Sequence, residues 1–168
     1  MSNSSKNKGK SFERDVAKFL GEVFNLNFER VPNSGAFIGG ANRFRENKLS
    51  KEQTLLMDGD IITPMELAHM SIECKSYKDI RWHLMYKKDG IQQLNKWIDQ
   101  ASGTTKPLWF LLFKINNQGS FVVYDSDYSE FTVGSYSVYN YNNKKYYIAD
   151  MVIFFNENSD KILNFRKA

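Results

Sequence analysis

Residues Met70–Ser76 read MSIECKS. Their β-propensity and turn-flanked length mark a strand. Side chains alternate along a strand, so Glu73 and Lys75 share one face and Cys74 points to the other. Upstream, Met57–Thr63 (MDGDIIT) reads as a second strand, entered through a Gly turn and ended by Pro64 and Met65. Paired as an antiparallel hairpin, the two strands bring Asp60 beside Glu73. Carboxylates so placed repel unless a cation joins them. A hard divalent ion such as Mg²⁺ or Mn²⁺ takes oxygen ligands of this kind. Lys75, close to the same ion, would orient a water or stabilise charge on a phosphate. The plainer reading is a surface Asp and a surface Glu–Lys pair, because E-x-K is a short pattern.

Working outward, an amphipathic helix starts at Ser11, read as its N-cap. Phe12, Val16, Phe19, Leu20, Val23 and Phe24 form its apolar stripe and Asn25 ends it. Leu26–Val31 is a short first strand, and Pro32-Asn33-Ser34-Gly35 is turn chemistry. On the C-terminal side, Asp89 caps a helix over Gly90–Gln100. Leu108–Ile115 (LWFLLFKI) is a near-continuous apolar run, expected of a strand covered on both faces. Asn116–Gly119 turns the chain and Phe121–Tyr124 returns as a strand. The Tyr- and Phe-rich remainder supplies further strands and a terminal helix. This order predicts an α/β fold with a mixed central β-sheet flanked by helices. The expected organisation is a flexible basic N-terminus at 1–10 and one domain at 11–168. That domain carries a basic loop at 36–59 and a Tyr-rich extension of the sheet at 124–168.

The 168 residues suit one domain, and 42% hydrophobic content supports a core. No apolar run approaches the ~20 residues of a membrane helix. Met1–Lys10 has no hydrophobic segment behind it, unlike a secretory signal. The single cysteine, Cys74, excludes an internal disulfide framework and a Cys-rich zinc site. The expectation is a soluble, intracellular (cytoplasmic) protein with no membrane partner. Net charge is +4, but residues 1–51 hold ten Lys/Arg against five Asp/Glu, so the basicity belongs to the first third. A localised positive surface points to a polyanion such as DNA.

Other positions carry weaker signals. Glu13 lies in the first turn of the expected helix, where it complements the dipole, yet at the edge of the buried stripe, from which it can reach a metal. Arg30 is suited to bidentate phosphate binding. Ser34 and Gly35 can bring backbone N–H groups to a phosphate. Arg43, Arg45, Lys48 and Lys51 make the long 36–59 loop a candidate DNA contact, and Lys78, after the site, is another. The two histidines, His69 and His83, lack metal-ligand spacing. Tyr136, Tyr139 and Tyr141 are candidates for base stacking, although alternating Tyr on a half-buried strand explains them as well.

Glu13, R-x-P-x-S-G at Arg30–Gly35, G-D-I at Gly59–Ile61 and E-C-K at Glu73–Lys75 occur in an order that resembles the PD-(D/E)XK nuclease superfamily. Within it, the pattern is similar to the archaeal-type Holliday junction resolvases and their phage relatives, over roughly residues 9–115. The resemblance implies a restriction-endonuclease-like core. It implies Asp60 and Glu73 as metal ligands, Glu13 as the helix carboxylate completing the site, and Lys75 as the catalytic lysine. Ser34 would match the active-site serine of the resolvase branch. A glutamine on the helix after E-x-K would approach the site, with Gln92 and Gln93 as candidates. Resolvases of this branch are typically homodimers that cut branched DNA in recombination and repair. Here Gly59 replaces the usual proline before the first aspartate, and the basic loop is longer than in compact resolvases.

The expected activity is a Mg²⁺- or Mn²⁺-dependent DNA endonuclease acting on branched DNA as a homodimer. The rivals are a restriction-type, nicking or repair endonuclease of the same fold on duplex DNA, a non-catalytic DNA-binding module, and a protein-interaction domain using the Tyr-rich end.

Overall fold

In a computed structural model that describes residues 3–32 and 58–165, the first element is helix α1, Asn3–Phe24. It starts eight residues before Ser11, which is therefore an exposed position within the helix and not its cap. Extending a helix already held by its apolar stripe is cheap compared with nucleating one, and the lysines of this polar stretch are good helix formers. Strand β1 (Glu29–Arg30) and strand β2 (Ile61–Ile62) form a small antiparallel pair, with Glu29 opposite Ile62 and Arg30 opposite Ile61. Strand β3 follows at Met70–Tyr77. The expected hairpin between the 57–63 and 70–76 segments is absent. Instead Gly59 bridges Ile72 in parallel, and the chain then leaves to pair with β1. Pro64 and a 3-10 turn at Met65–Leu67 separate β2 from β3, so no tight hairpin loop joins them.

After a 3-10 segment at Trp82–Tyr86, helix α2 spans Gln92–Ser102. Strands β4 (Leu108–Ile115), β5 (Gly119–Asp125), β6 (Tyr136–Tyr141) and β7 (Lys144–Asp150) then precede helix α3, Met151–Leu163. The main sheet has the order β3-β4-β5-β7-β6. β3 and β4 are parallel, and the other pairs are antiparallel. This is the mixed α/β sheet with flanking helices expected from the element order. The β4 run is buried apart from Lys114.

Alternation divides the core into two layers. Ile72, Cys74, Phe110, Leu112, Val122 and Tyr124 face α1 and α3 with Phe12, Leu20, Phe154 and Phe155. Leu111, Phe113, Val123 and Ile148 face α2 with Leu94, Trp97 and Ile98. Each fully buried Phe or Leu contributes roughly 1.5–3 kcal/mol, so these layers hold the sheet and set the frame of the site.

Asp89 does not cap α2. The residue before the helix is Ile91, and its N–H is met by the Tyr139 hydroxyl at 2.7 Å, which in turn donates to Asn95 Oδ1 at 2.6 Å. Gly90 has φ +60, and a Cβ there would lie 2.5 Å from the Tyr139 oxygen. The tyrosine from β6 thus sets where α2 begins. Tyr139 is 1% exposed, which removes it from base stacking. No helix among the described residues is long and apolar enough to cross a membrane.

Candidate active site

β3 is an edge strand of the main sheet, and among the described residues its outer edge is bridged by Gly59. Asp60 meets two of its backbone groups. Its N–H donates to the Ile72 carbonyl at 2.7 Å, and its Oδ2 accepts from the Cys74 N–H at 2.8 Å. Val31 N–H donates to the Asp60 carbonyl at 2.9 Å, tying the same residue to the end of β1. The carboxylate stands in for the missing strand, so it is fixed beside the residue that precedes Cys74, namely Glu73.

Glu73 lies on the α2 face of β3, opposite Leu111 of β4. Its Oε1 accepts from Lys75 Nζ at 2.5 Å. The Lys75 and Glu73 side chains are only 19% and 9% exposed, so their attraction is poorly screened. A third group at this carboxylate is Gln100, whose Nε2 donates to the same Oε1 from the last turn of α2. Burial first, and the neighbouring Asp60 carboxylate second, push the Glu73 carboxyl up to about 7, with Lys75 pulling the other way. The Asp60 carboxylate is close enough to oppose the ionisation of Glu73. Two carboxyl groups are therefore held against each other inside a partly desolvated edge.

Glu13 is buried on α1 and accepts from Arg30 Nε. Arg30 is thus engaged with a carboxylate of its own chain. Its five donors leave further N–H groups for a phosphate. Glu13 also contributes, with burial, Asp60 and Glu73, to raising the Cys74 thiol well above its usual range. Cys74 therefore stays a neutral thiol and is no nucleophile. Among the described residues, no three His, Cys, Asp or Glu side chains close around one point. Asp60 and Glu73 form a pair, and Glu13 stands with Arg30.

That donor set fits a hard divalent cation. Mg²⁺ is commonly held by one or two carboxylates while keeping several waters. Burial first and the Asp60 carboxylate second raise the Glu73 carboxyl, and a cation between the two carboxylates would relieve the second of these.

Gln92 is exposed and Gln93 half-buried at the start of α2, and it is Gln100 that reaches Glu73. Gln93 and Gln100 are seven residues apart on one helix face, a spacing legible in the sequence once α2 is known to run antiparallel past β3. Lys78 is exposed just beyond β3. Ser34, Arg43, Arg45, Lys48 and Lys51 lie outside the described residues. His83 is exposed, and His69 is accounted for by the Ile162 carbonyl, 3.0 Å from its Nε2.

Residues 4–164 match the model of the family described as "Phage putative PDDEXK endonuclease". The chain belongs to that family. The match spans α1, both sheets, α2 and α3, so the PDDEXK assignment takes in the Tyr-rich C-terminal region as well. No curated protein and no solved structure matches the chain significantly.

Proposed function

We propose that this member of the PDDEXK endonuclease family is a metal-dependent DNA endonuclease, with branched DNA as its substrate. One observation carries the reading: Asp60 and Glu73 are held together at an open sheet edge with Lys75 on the Glu73 carboxylate. Asp60 and Glu73 would hold Mg²⁺ or Mn²⁺, with Glu13 behind them on α1. When bound, such an ion lowers the pKa of a coordinated water and neutralises charge on the scissile phosphate. Lys75 holds its ammonium on the Glu73 carboxylate, where it would orient the attacking water and stabilise the additional negative charge of the phosphorane-like transition state. The water oxygen would form a bond to phosphorus, giving up one proton to solvent, as the bond to the leaving sugar oxygen breaks and that oxygen takes up a proton from solvent water. Gln100 keeps the Glu73 carboxylate turned toward α2 and the site.

Branched DNA is favoured by the Arg30–Gly35 pattern, which resembles the resolvase branch, and by Arg30 lying against Glu13 at the site's rim. Ser34 would belong to the catalytic machinery. Arg43, Arg45, Lys48, Lys51 and Lys78 would contact the phosphate backbone. Two symmetric cuts in a four-way junction require two active sites, so the working unit would be a homodimer.

The test is cleavage of a labelled four-way junction and a matched linear duplex, in Mg²⁺ and in EDTA, beside Glu73→Gln. Paired cuts in the junction alone, lost in EDTA and in Glu73→Gln, are expected. Cutting of both substrates would keep the nuclease and discard the preference for branches. Tight binding without any cut would leave a DNA-binding module.

A further inference from the structure

Asp60 is reached through a demanding turn. Gly59 has φ +93, and a Cβ at that position would lie 2.5 Å from the Ile72 carbonyl oxygen. Glycine, with no Cβ, takes this left-handed conformation and the close approach without strain. On the other side of the turn, Asp58 is gripped by the loop that follows α2. The Thr104 hydroxyl donates to Asp58 Oδ2 and accepts from the Lys106 N–H at 3.0 Å. One hydroxyl donor and one of its two lone pairs are thereby used. The Asp58 carbonyl accepts from the Ser71 hydroxyl at 3.3 Å.

Lys106 completes the clasp. It is 5% exposed, an unusual state for a lysine. Its ammonium donates to the Met70 carbonyl at 2.9 Å, at the first residue of β3. Burial lowers its pKa, while the Asp58 carboxylate raises it and so favours the charged form. Residues 100–106 therefore touch Glu73 through Gln100, the Asp60 turn through Thr104, and the start of β3 through Lys106. Both carboxylates of the pair are referenced to one short segment.

We infer that Thr104 and Lys106 are positioning residues: the loop after α2 clasps Asp58 and Met70 and thereby sets the Asp60 carboxylate against Glu73 for cation binding. The inference rests on the proposed metal-dependent reading. Neither residue acts on the reacting atoms, and their effect passes through Asp58 and the backbone. Residues that orient metal ligands typically change metal affinity by about 10–100-fold when removed.

The experiment measures Mn²⁺ binding to the whole chain by electron paramagnetic resonance, without DNA, for wild type, Thr104→Val, Thr104→Ser and Asp58→Leu. Glu73→Gln serves as the binding-deficient control, and circular dichroism reports folding. The expected result is about tenfold or greater weakening in Thr104→Val and in Asp58→Leu, with Thr104→Ser within about twofold of wild type. The double variant Thr104→Val/Asp58→Leu should be no weaker than the worse single variant, because both break one contact. Wild-type affinity in Thr104→Val and Asp58→Leu, with Glu73→Gln deficient, would overturn the clasp and leave the metal site standing. Wild-type protein that binds no Mn²⁺ would overturn the metal reading and the inference with it. If Thr104→Val loses its folded signal, Asp58→Leu alone decides, since it keeps the side-chain branching and removes both oxygens that can accept from Thr104.

Discussion

The Cys74 backbone N–H donates to Asp60 Oδ2 at 2.8 Å, so an acidic side chain occupies the place of a neighbouring strand at the edge of the sheet. The contact has a structural and a chemical consequence together. It satisfies a buried donor, and it fixes the Asp60 carboxylate at the residue next to Glu73, whose ionisation it opposes.

Substitutions at Asp60 separate these roles. Asp60→Asn keeps an acceptor for Cys74 N–H and should fold with little loss of stability. Asp60→Ala leaves that donor without a partner and should cost about 1–3 kcal/mol. Both should abolish cleavage. Urea melts beside a cleavage assay check this; equal melts for the two variants would remove the strand-substitute role.

Gly59→Ala should be more damaging than a surface glycine substitution. Its left-handed conformation and the 2.5 Å approach to the Ile72 oxygen leave no room for a methyl group. The backbone strain alone is about 1–3 kcal/mol. Thermal melting should show the loss, and any folded fraction should bind divalent ions poorly because the turn carrying Asp60 has shifted.

The Glu73 carboxyl gives metal-free protein a particular pH dependence. Its folded value of about 7 lies above its ordinary 4.5, so the folded state binds more protons between these two values. Stability from this group is fully present below pH 4.5 and is lost as pH rises through 7. The full difference is ~3 kcal/mol. In EDTA, wild type should therefore lose stability relative to Glu73→Gln between pH 5 and 8, and Mg²⁺ should restore part of it at pH 8. Parallel stability profiles for the two proteins would contradict the raised carboxyl.

Tyr139→Phe should cost about 1–3 kcal/mol, because the buried Ile91 N–H then lacks its acceptor. The change should also loosen the start of α2. Amide exchange at Ile91 and Asn95 is the measurement, and protection unchanged at both positions would show that Tyr139 does not anchor the helix.

Lys75→Ala should abolish cleavage while leaving DNA affinity in EDTA close to that of wild type. Gln100→Ala should fold normally and weaken cleavage by about tenfold through the Glu73 carboxylate it orients. A Lys75→Ala protein that cuts at the wild-type rate would take the lysine out of the mechanism.

Several elements were legible from local pattern alone. The LWFLLFKI run became β4 with the bounds its hydropathy implied, since an unbroken apolar octet has to be covered on both faces. The alternation in MSIECKS set Glu73 and Lys75 on one face of β3, because a strand's period of two is a backbone property. Asn142 and Asn143, both at positive φ, make the two-residue turn between β6 and β7. A two-residue turn with positive φ at both positions suits asparagine, which enters the left-handed region more readily than most residues.

What pattern could not supply was the route by which distant groups meet. The 57–63 and 70–76 segments are both β-prone and close in the chain, as hairpin partners are, yet β2 pairs with β1 and, among the described residues, Gly59 alone bridges Ile72. The choice depends on which edge each segment can satisfy, a property of the assembled sheet. The sequence offers Gln92 and Gln93, whereas Gln100 meets Glu73, because that distance depends on how α2 packs across β3 and β4. The Thr104–Asp58 and Lys106–Met70 contacts span 46 and 36 residues and carry no periodic signal at all. Residue types and periodicity therefore determined the candidate acid–acid–lysine set and the strand that carries two of its members. The positions of Asp60, Gln100 and the clasp were decided by long-range closure, in which backbone donors at a sheet edge and a buried lysine each require a partner that only the folded chain can bring.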